Sequence, residues 1–170
     1  IGLNLLVGFA GQISLGHAGF FGLGAYFTGI ATGTYGWSSV PALVVGAIVV
    51  GIIAWIVGRP ILRLKGHYLS MATLAVGFII AIILNNERAI TGGPDGMPVP
   101  AFDLFGWELS TFGQYSLFGL EISGVQAWYI LASVVLLLAV WFAQNLIESP
   151  IGRALRSVKG SEVAASVVGV

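Results

Sequence analysis

The first 58 residues, Ile1 to Gly58, contain no Asp, Glu, Lys or Arg. A soluble fold needs charge on its surface and carries about 25% charged residues. This chain carries 8% overall, against 57% apolar residues and a mean hydropathy of +0.97. In hydrocarbon every backbone N–H and C=O must be paired inside the structure, which a helix does within its own segment. We therefore expect an all-α integral membrane protein, a polytopic transmembrane helix bundle.

A helix crosses the roughly 30 Å of hydrocarbon with about 20 mainly apolar residues. Residues 41–58, 68–86 and 125–144 meet that length, residues 18–36 fit less comfortably, and residues 1–10 read as the end of a further span. Ile1 opens in mid-hydrophobic sequence with no charged n-region or cleavage site, and "SEVAASVVGV" stops inside a helical pattern. We expect one partial membrane domain, an internal fragment of a longer chain.

Loop charges orient it, because Lys and Arg are retained on the cytoplasmic side. Arg59, Arg63 and Lys65 stand without an acid, so residues 59–67 read as cytoplasmic. Residues 87–124 hold one base, Arg88, and five acids, Glu87, Asp95, Asp103, Glu108 and Glu121, and read as an external loop with a small lid or short helix. Arg153, Arg156 and Lys159 return residues 145–170 to the cytoplasm. Pro150 suits a helix's first turn, and the three bases recur every third residue along one helical side. Such a short amphipathic helix is a handle for a soluble partner.

The absence of cysteine removes disulfides, thiolate-bound zinc and thiol nucleophiles. The net charge of +0 argues against nucleic acid, which demands a clustered basic surface. No metal or cofactor is expected.

"GQISLGHAGFFGLGAYFTGI", residues 11–30, holds six glycines inside the charge-free region. Ala18 and Gly22 form one row at helical spacing and Ala25, Gly29 and Gly33 another, the pattern that lets helices approach closely in lipid. Packing does not account for Gln12, Ser14 and His17, polar groups that need partners in hydrocarbon. With Gly8, Gly11, Gly16 and Gly19 around them, they point to an interrupted helix beside a translocation path, as in transporters whose broken helices form mid-membrane sites. Ser14 and His17 could meet across a helical turn, but a catalytic dyad lacks a third orienting group here. His17 alone reads first as a structural hydrogen-bonding group.

"GFAGQISLGHAGFFGLGAYFTGI", "GHYLSMATLAVGFIIAIILNNERAITGGPDGMPVP" and "ESPIGRALRSVKGSEVAASVVGV" resemble, in order and spacing, the LivM-like permeases of branched-chain amino acid ABC transporters. The likeness touches nearly the whole chain except the middle of the external loop. "GQISLGHAGFFGLGAY" and "SPIGRALR" are specific to that family, and "TGGPDG" less so.

The resemblance implies a multi-pass subunit of a bacterial or archaeal inner membrane, with no enzymatic step of its own. It would pair with a LivH-like second permease, two cytoplasmic ATP-binding subunits and an external substrate-binding protein that delivers leucine, isoleucine, valine or a related amino acid. Relatives carry urea and amides. The path residues would be Gln12, Ser14, Gly16, His17, Gly19, Tyr26 and Asn85. The tail becomes the ATPase-coupling helix, through Pro150, Gly152, Arg153 and Arg156. Beyond it Ala164, Ala165 and Gly169 match the small residues of the permease "EAA…G" signature, with Val163 at its acidic position and Glu162 one place early. Gly92, Gly93, Asp95 and Gly96 form first a turn, and then a contact for the binding protein. Two positions depart from the family: relatives have an acid where Phe78 stands and an arginine where Ala81 stands.

Rivals are a permease for sugars or nucleosides, an ion-driven secondary transporter and an intramembrane enzyme. The second expects intramembrane carboxylates, which the apolar stretches lack. The third rests on Ser14 and His17 alone.

Overall fold

The computed structural model describes residues 1–64, 66–104, 106–117 and 120–160, without the side chains of Ser116, Leu117 and Leu120. Helices α1 (Gly2–Phe9), α2 (His17–Gly33), α3 (Ser39–Ile61) and α4 (His67–Asn86) are followed by a short α5 (Arg88–Thr91) and a 3-10 turn (Gly93–Asp95). Strands β1 (Phe102–Leu104), β2 (Trp107–Leu109), β3 (Gln114–Leu117) and β4 (Leu120–Ser123) come next, then helices α6 (Gly124–Glu148) and α7 (Pro150–Gly160).

Among the described residues three helices, α3, α4 and α6, are long and apolar enough to cross a bilayer. α2 is shorter: its 17 residues rise about 25 Å. It stops at Gly33, three residues before the end expected from hydropathy, and the N–H groups of Thr34 and Tyr35 both turn back to the Ile30 carbonyl. α6 instead runs on to Glu148, four residues past the hydropathy limit.

Contacts divide the chain into two units, Leu15–Ala127 and the pair of segments Ile1–Ser14 with Trp128–Val170. In the first, α2 packs on both α3 and α4. The contact with α3 depends on Gly46, where a β-carbon would stand 2.9 Å from the Phe27 ring. Hydroxyls on these helices bond to their own backbone, Thr28 to Gly24 O and Thr32 to Thr28 O at 2.9 Å each. Such back-bonding satisfies a polar group without an outside partner. Arg59, at the end of α3, lays its guanidinium 4.3 Å from the centre of the Trp55 ring one turn earlier.

The segment between α4 and α6 holds more than a lid or short helix, since it forms two antiparallel hairpins, β1–β2 and β3–β4. Strands of three and four residues are too short to show an alternating pattern. The first hairpin is pinned to α3, where Ser39 Oγ accepts the Asp103 N–H at 2.9 Å. The second leads into α6 through a reciprocal cap: the Ser123 N–H donates to Gln126 Oε1 at 3.0 Å and the Gln126 N–H to Ser123 Oγ at 3.4 Å. That S-x-x-Q pattern at a helix start is a capping box.

Within the second unit α6 leaves Leu137, Phe142 and Ile130 outside, exposed by 69%, 64% and 46%. A helix apolar on every side belongs in lipid or against other spans.

Candidate functional site

α1 ends at Phe9 and α2 begins at His17, with the seven residues Ala10 to Gly16 outside either helix. Gly11 makes the turn at φ +68°, a left-handed conformation that costs a β-carbon-bearing residue about 1–2 kcal/mol. It folds the chain so that the N–H groups of Ala10 and Gln12 both donate to Leu6 O, each at 3.2 Å. Gln12 and Ser14 lie in this non-helical segment and His17 opens α2. Because Ser14 precedes the helix, its spacing from His17 is not a helical turn, and the geometry a dyad relied on is missing.

The far side of the break is pressed against α4. The Leu15 N–H donates to Thr73 Oγ1 at 3.1 Å, and the Thr73 hydroxyl donates to Ser70 O at 2.9 Å. A β-carbon on Gly16 would stand 2.5 Å from the Thr73 carbonyl oxygen, and one on Gly19 would stand 3.1 Å from the Gly77 Cα. A β-carbon on Gly77 would in turn stand 3.3 Å from the Gly16 Cα. Backbone thus meets backbone, with one side-chain hydroxyl supplying the acceptor that the missing helix turn would have supplied.

Thr73 and Gly77 were not singled out in the sequence, yet they are the receiving half of this contact. Their signal was present: "TLAVG", residues 73–77, is a small-xxx-small step within an apolar span. Thr73→Val keeps the shape and removes the acceptor, so it is expected to lower the melting temperature of the detergent-purified full chain by about 2–4 °C, for a hydrogen bond worth about 1 kcal/mol. Thr73→Ser retains it.

Between α2 and α4 lies an open groove of about 380 Å³, walled by Leu15, Ala18, Gly22, Tyr26, Phe78 and Asn85 among others. It follows α4 from Leu74 to Asn85, roughly 16 Å at 1.5 Å per residue. Of the path residues, Gly19, Tyr26 and Asn85 share it, and His17 is not among its walls. Gln12 and Ser14 belong to the other unit. Phe78 and Ala81 also line it, so the wall is apolar where an acid and an arginine were expected in relatives. Asn85 binds its own helix, Nδ2 donating to Ala81 O at 2.9 Å.

The row Ala25, Gly29 and Gly33 receives the loop rather than another helix. β-Carbons on Gly29 and Gly33 would stand 3.3 Å from Val99 Cγ2 and 3.0 Å from the Pro98 carbonyl oxygen. Tyr26 is shared by the α2–α4 groove and a smaller cavity of about 220 Å³ that Met97 and Val99 close. The loop before them is built on Thr91, 4% exposed, whose hydroxyl lies 2.6 Å from Leu84 O and accepts the Gly93 N–H at 3.1 Å. Gly93 is buried within this turn, Gly92 is half-buried, and Asp95 and Gly96 are exposed.

In the other unit α6 turns sharply into α7. The Ser149 hydroxyl donates to Leu146 O at 2.6 Å and accepts the Gly152 N–H at 3.4 Å, with Pro150 in the first turn of α7. Gly152 is buried because the Ile147 carbonyl oxygen would lie 2.2 Å from any β-carbon there. Arg153, Arg156 and Lys159 are all exposed, and the last two also reach α1: the Arg156 guanidinium lies 5.3 Å from the centre of the Phe9 ring, and Lys159 Nζ donates to Gly8 O at 2.6 Å.

A protein family described as "Branched-chain amino acid transport system / permease component" matches residues 1–170. The chain belongs to that permease family. Its relatives include the "High-affinity branched-chain amino acid transport system permease protein LivM" of Escherichia coli (strain K12) and the protein of the same name from Salmonella typhimurium (strain LT2), each 33% identical over 183 residues. The matches cover 100% of this chain and 43% of each relative, so the chain spans less than half of their length. No solved structure matches it. Glu162, Val163, Ala164, Ala165 and Gly169 lie outside the described residues.

Proposed function

We propose that this chain is part of a membrane-embedded permease subunit of an ATP-driven importer for branched-chain or related amino acids, working by alternating access. Family membership supports the transport class, and the relatives' names support the solute. One observation carries the mechanism. The helix is interrupted at Ala10–Gly16, and the start of α2 is packed backbone to backbone on α4, beside an uncharged groove.

In this reading residues 59–67 and 145–170 are cytoplasmic and residues 87–124 external. Thr73, the break's partner, then lies six residues, about 9 Å, into α4 from the cytoplasmic end. The interruption belongs to the inner third of the membrane rather than to its middle. The groove runs outward from there to Asn85. An aliphatic side chain crosses such a wall without losing hydrogen bonds, and the amide of Asn85 and the hydroxyl of Tyr26 serve the polar end of an amino acid. The permease needs no chemical step. A LivH-like second subunit completes the path, two ATP-binding subunits act on α7, and an external binding protein delivers solute to the loop at Asp95 and Gly96.

Ser157 is exposed on α7 and tests the assignment. With Ser157→Cys in the full chain, co-expressed with candidate ATP-binding subunits, a cross-link whose yield changes with ATP is expected, together with uptake that leucine, isoleucine or valine competes. A folded, inserted protein with no cross-link would point to an ion-driven transporter. Competition by urea, sugars or nucleosides in place of leucine would reassign the solute.

A further inference from the structure

The end of α1 and the start of the break are held by α7. The last carbonyls of the eight-residue α1 have no partner within the helix itself, and there the helix dipole concentrates partial negative charge. Lys159 Nζ meets one of them, Gly8 O, at 2.6 Å, a short charge-assisted bond. Its stem lies along the turn itself: a β-carbon on Gly11 would stand 3.1 Å from Lys159 Cγ and 3.7 Å from Lys159 Cβ. Arg156, one turn earlier, stacks over Phe9 and reaches back to Ile147 O at 3.5 Å, so it ties the α6–α7 corner to the same helix end. Ile151, Arg153 and Ser157 are exposed on the same helix.

We propose that Lys159, supported by Arg156, is a latch that transmits movement of α7 to the helix break by holding the Gly8 carbonyl and the Gly11 turn. This deepens the importer reading and rests on it. Residues three apart on α7 thereby do two jobs: Arg153 faces an ATP-binding partner, and Arg156 and Lys159 face the chain's own α1. A rigid 11-residue helix cannot shift by a few ångströms without pulling on the carbonyl it grips. The pull arrives at Gly11, whose φ of +68° makes the turn that follows α1.

The test uses the full chain in its complex, in a cysteine-free background, with Ile13→Cys as reporter in the break. Labelling by a membrane-impermeant maleimide is compared without nucleotide and after vanadate trapping. The expected result is a nucleotide-dependent labelling rate that Lys159→Met abolishes while ATP hydrolysis continues. Uptake per ATP is expected to fall by about tenfold, within the usual range of coupling between sites, and Lys159→Arg to restore most of it. Nucleotide dependence that survives Lys159→Met overturns the latch alone. No nucleotide dependence and no uptake in the parent complex overturns the importer reading, and the latch with it.

A paired variant tests the contact without relying on the loss of lysine. Gly11→Cys with Lys159→Cys places β-carbons about 3.7 Å apart, inside the span a disulfide needs. With the lysine gone, the reduced pair is expected to show the same loss of uptake per ATP as Lys159→Met, and formation of the disulfide to restore it by replacing the grip covalently. Full cross-linking with uptake no higher than in the reduced form overturns the proposal.

Discussion

Gly16→Ala is expected to abolish uptake while the protein still inserts. The added carbon would lie 2.5 Å from the backbone oxygen of Thr73, and no side-chain rotation relieves a backbone clash. α2 and α4 must separate or the break must refold, at a cost of about 1–3 kcal/mol for a residue forced into a packed site. Separation also stretches the 3.1 Å bond from the Leu15 N–H to Thr73 Oγ1. Each 1.4 kcal/mol is about tenfold in an equilibrium constant, so a joint that must alternate between two states is left in one of them. Initial rates of labelled leucine uptake into vesicles, normalised to inserted protein, measure the loss. Gly24→Ala, about two turns further along in α2, is the control, because its β-carbon would meet only Val50 Cγ2 at 3.9 Å. It exchanges glycine for a better helix former, by up to about 1 kcal/mol, and uptake is expected to stay within twofold of the parent, a change of about 0.4 kcal/mol. Normal uptake by Gly16→Ala would show that the break does not need its contact with α4.

Gly152→Ala is expected to disconnect the tail. Here the clash is with the Ile147 carbonyl oxygen, 2.2 Å from the new carbon. Ile147 and Gly152 flank the turn at Ser149 and Pro150, so the angle between α6 and α7 has to open. Lys159 lies seven residues further along α7, about 10 Å from the corner, so a modest change of angle carries its ammonium group off Gly8 O. Two readouts are expected to move together: the ATP-sensitive cross-link at Ser157 and uptake per ATP hydrolysed, each falling by about tenfold or more for a disturbance above 1.4 kcal/mol. Insertion and the melting of the Leu15–Ala127 unit are expected to stay near the parent, because the corner belongs to the other unit. Uptake falling with an intact cross-link would place the importance of Gly152 elsewhere than the corner.

Local chemistry was legible without coordinates. An apolar run of 18 to 25 residues becomes a helix in hydrocarbon whatever its neighbours, since nothing else there pairs its backbone. α3, α4 and α6 follow from that requirement. Closely spaced glycines around Gln12 and Ser14 disfavour a helix locally, and residues 10–16 are not one. Ser123 with Gln126 and Ser149 with Pro150 are caps readable from neighbouring residues alone. Tertiary structure alone decided which surfaces meet, because the rotation of a helix about its axis is set by its partners. Leu15 finds its acceptor on Thr73, 58 residues away, and Lys159 finds Gly8 across 151. The row Ala25, Gly29 and Gly33 looked like a helix interface and instead seats Met97 and Val99, because small residues specify close approach but not the partner. The bases of α7 had the spacing of one face, yet Arg156 and Lys159 turn to α1, where open carbonyls attract a cation that periodicity alone could not assign.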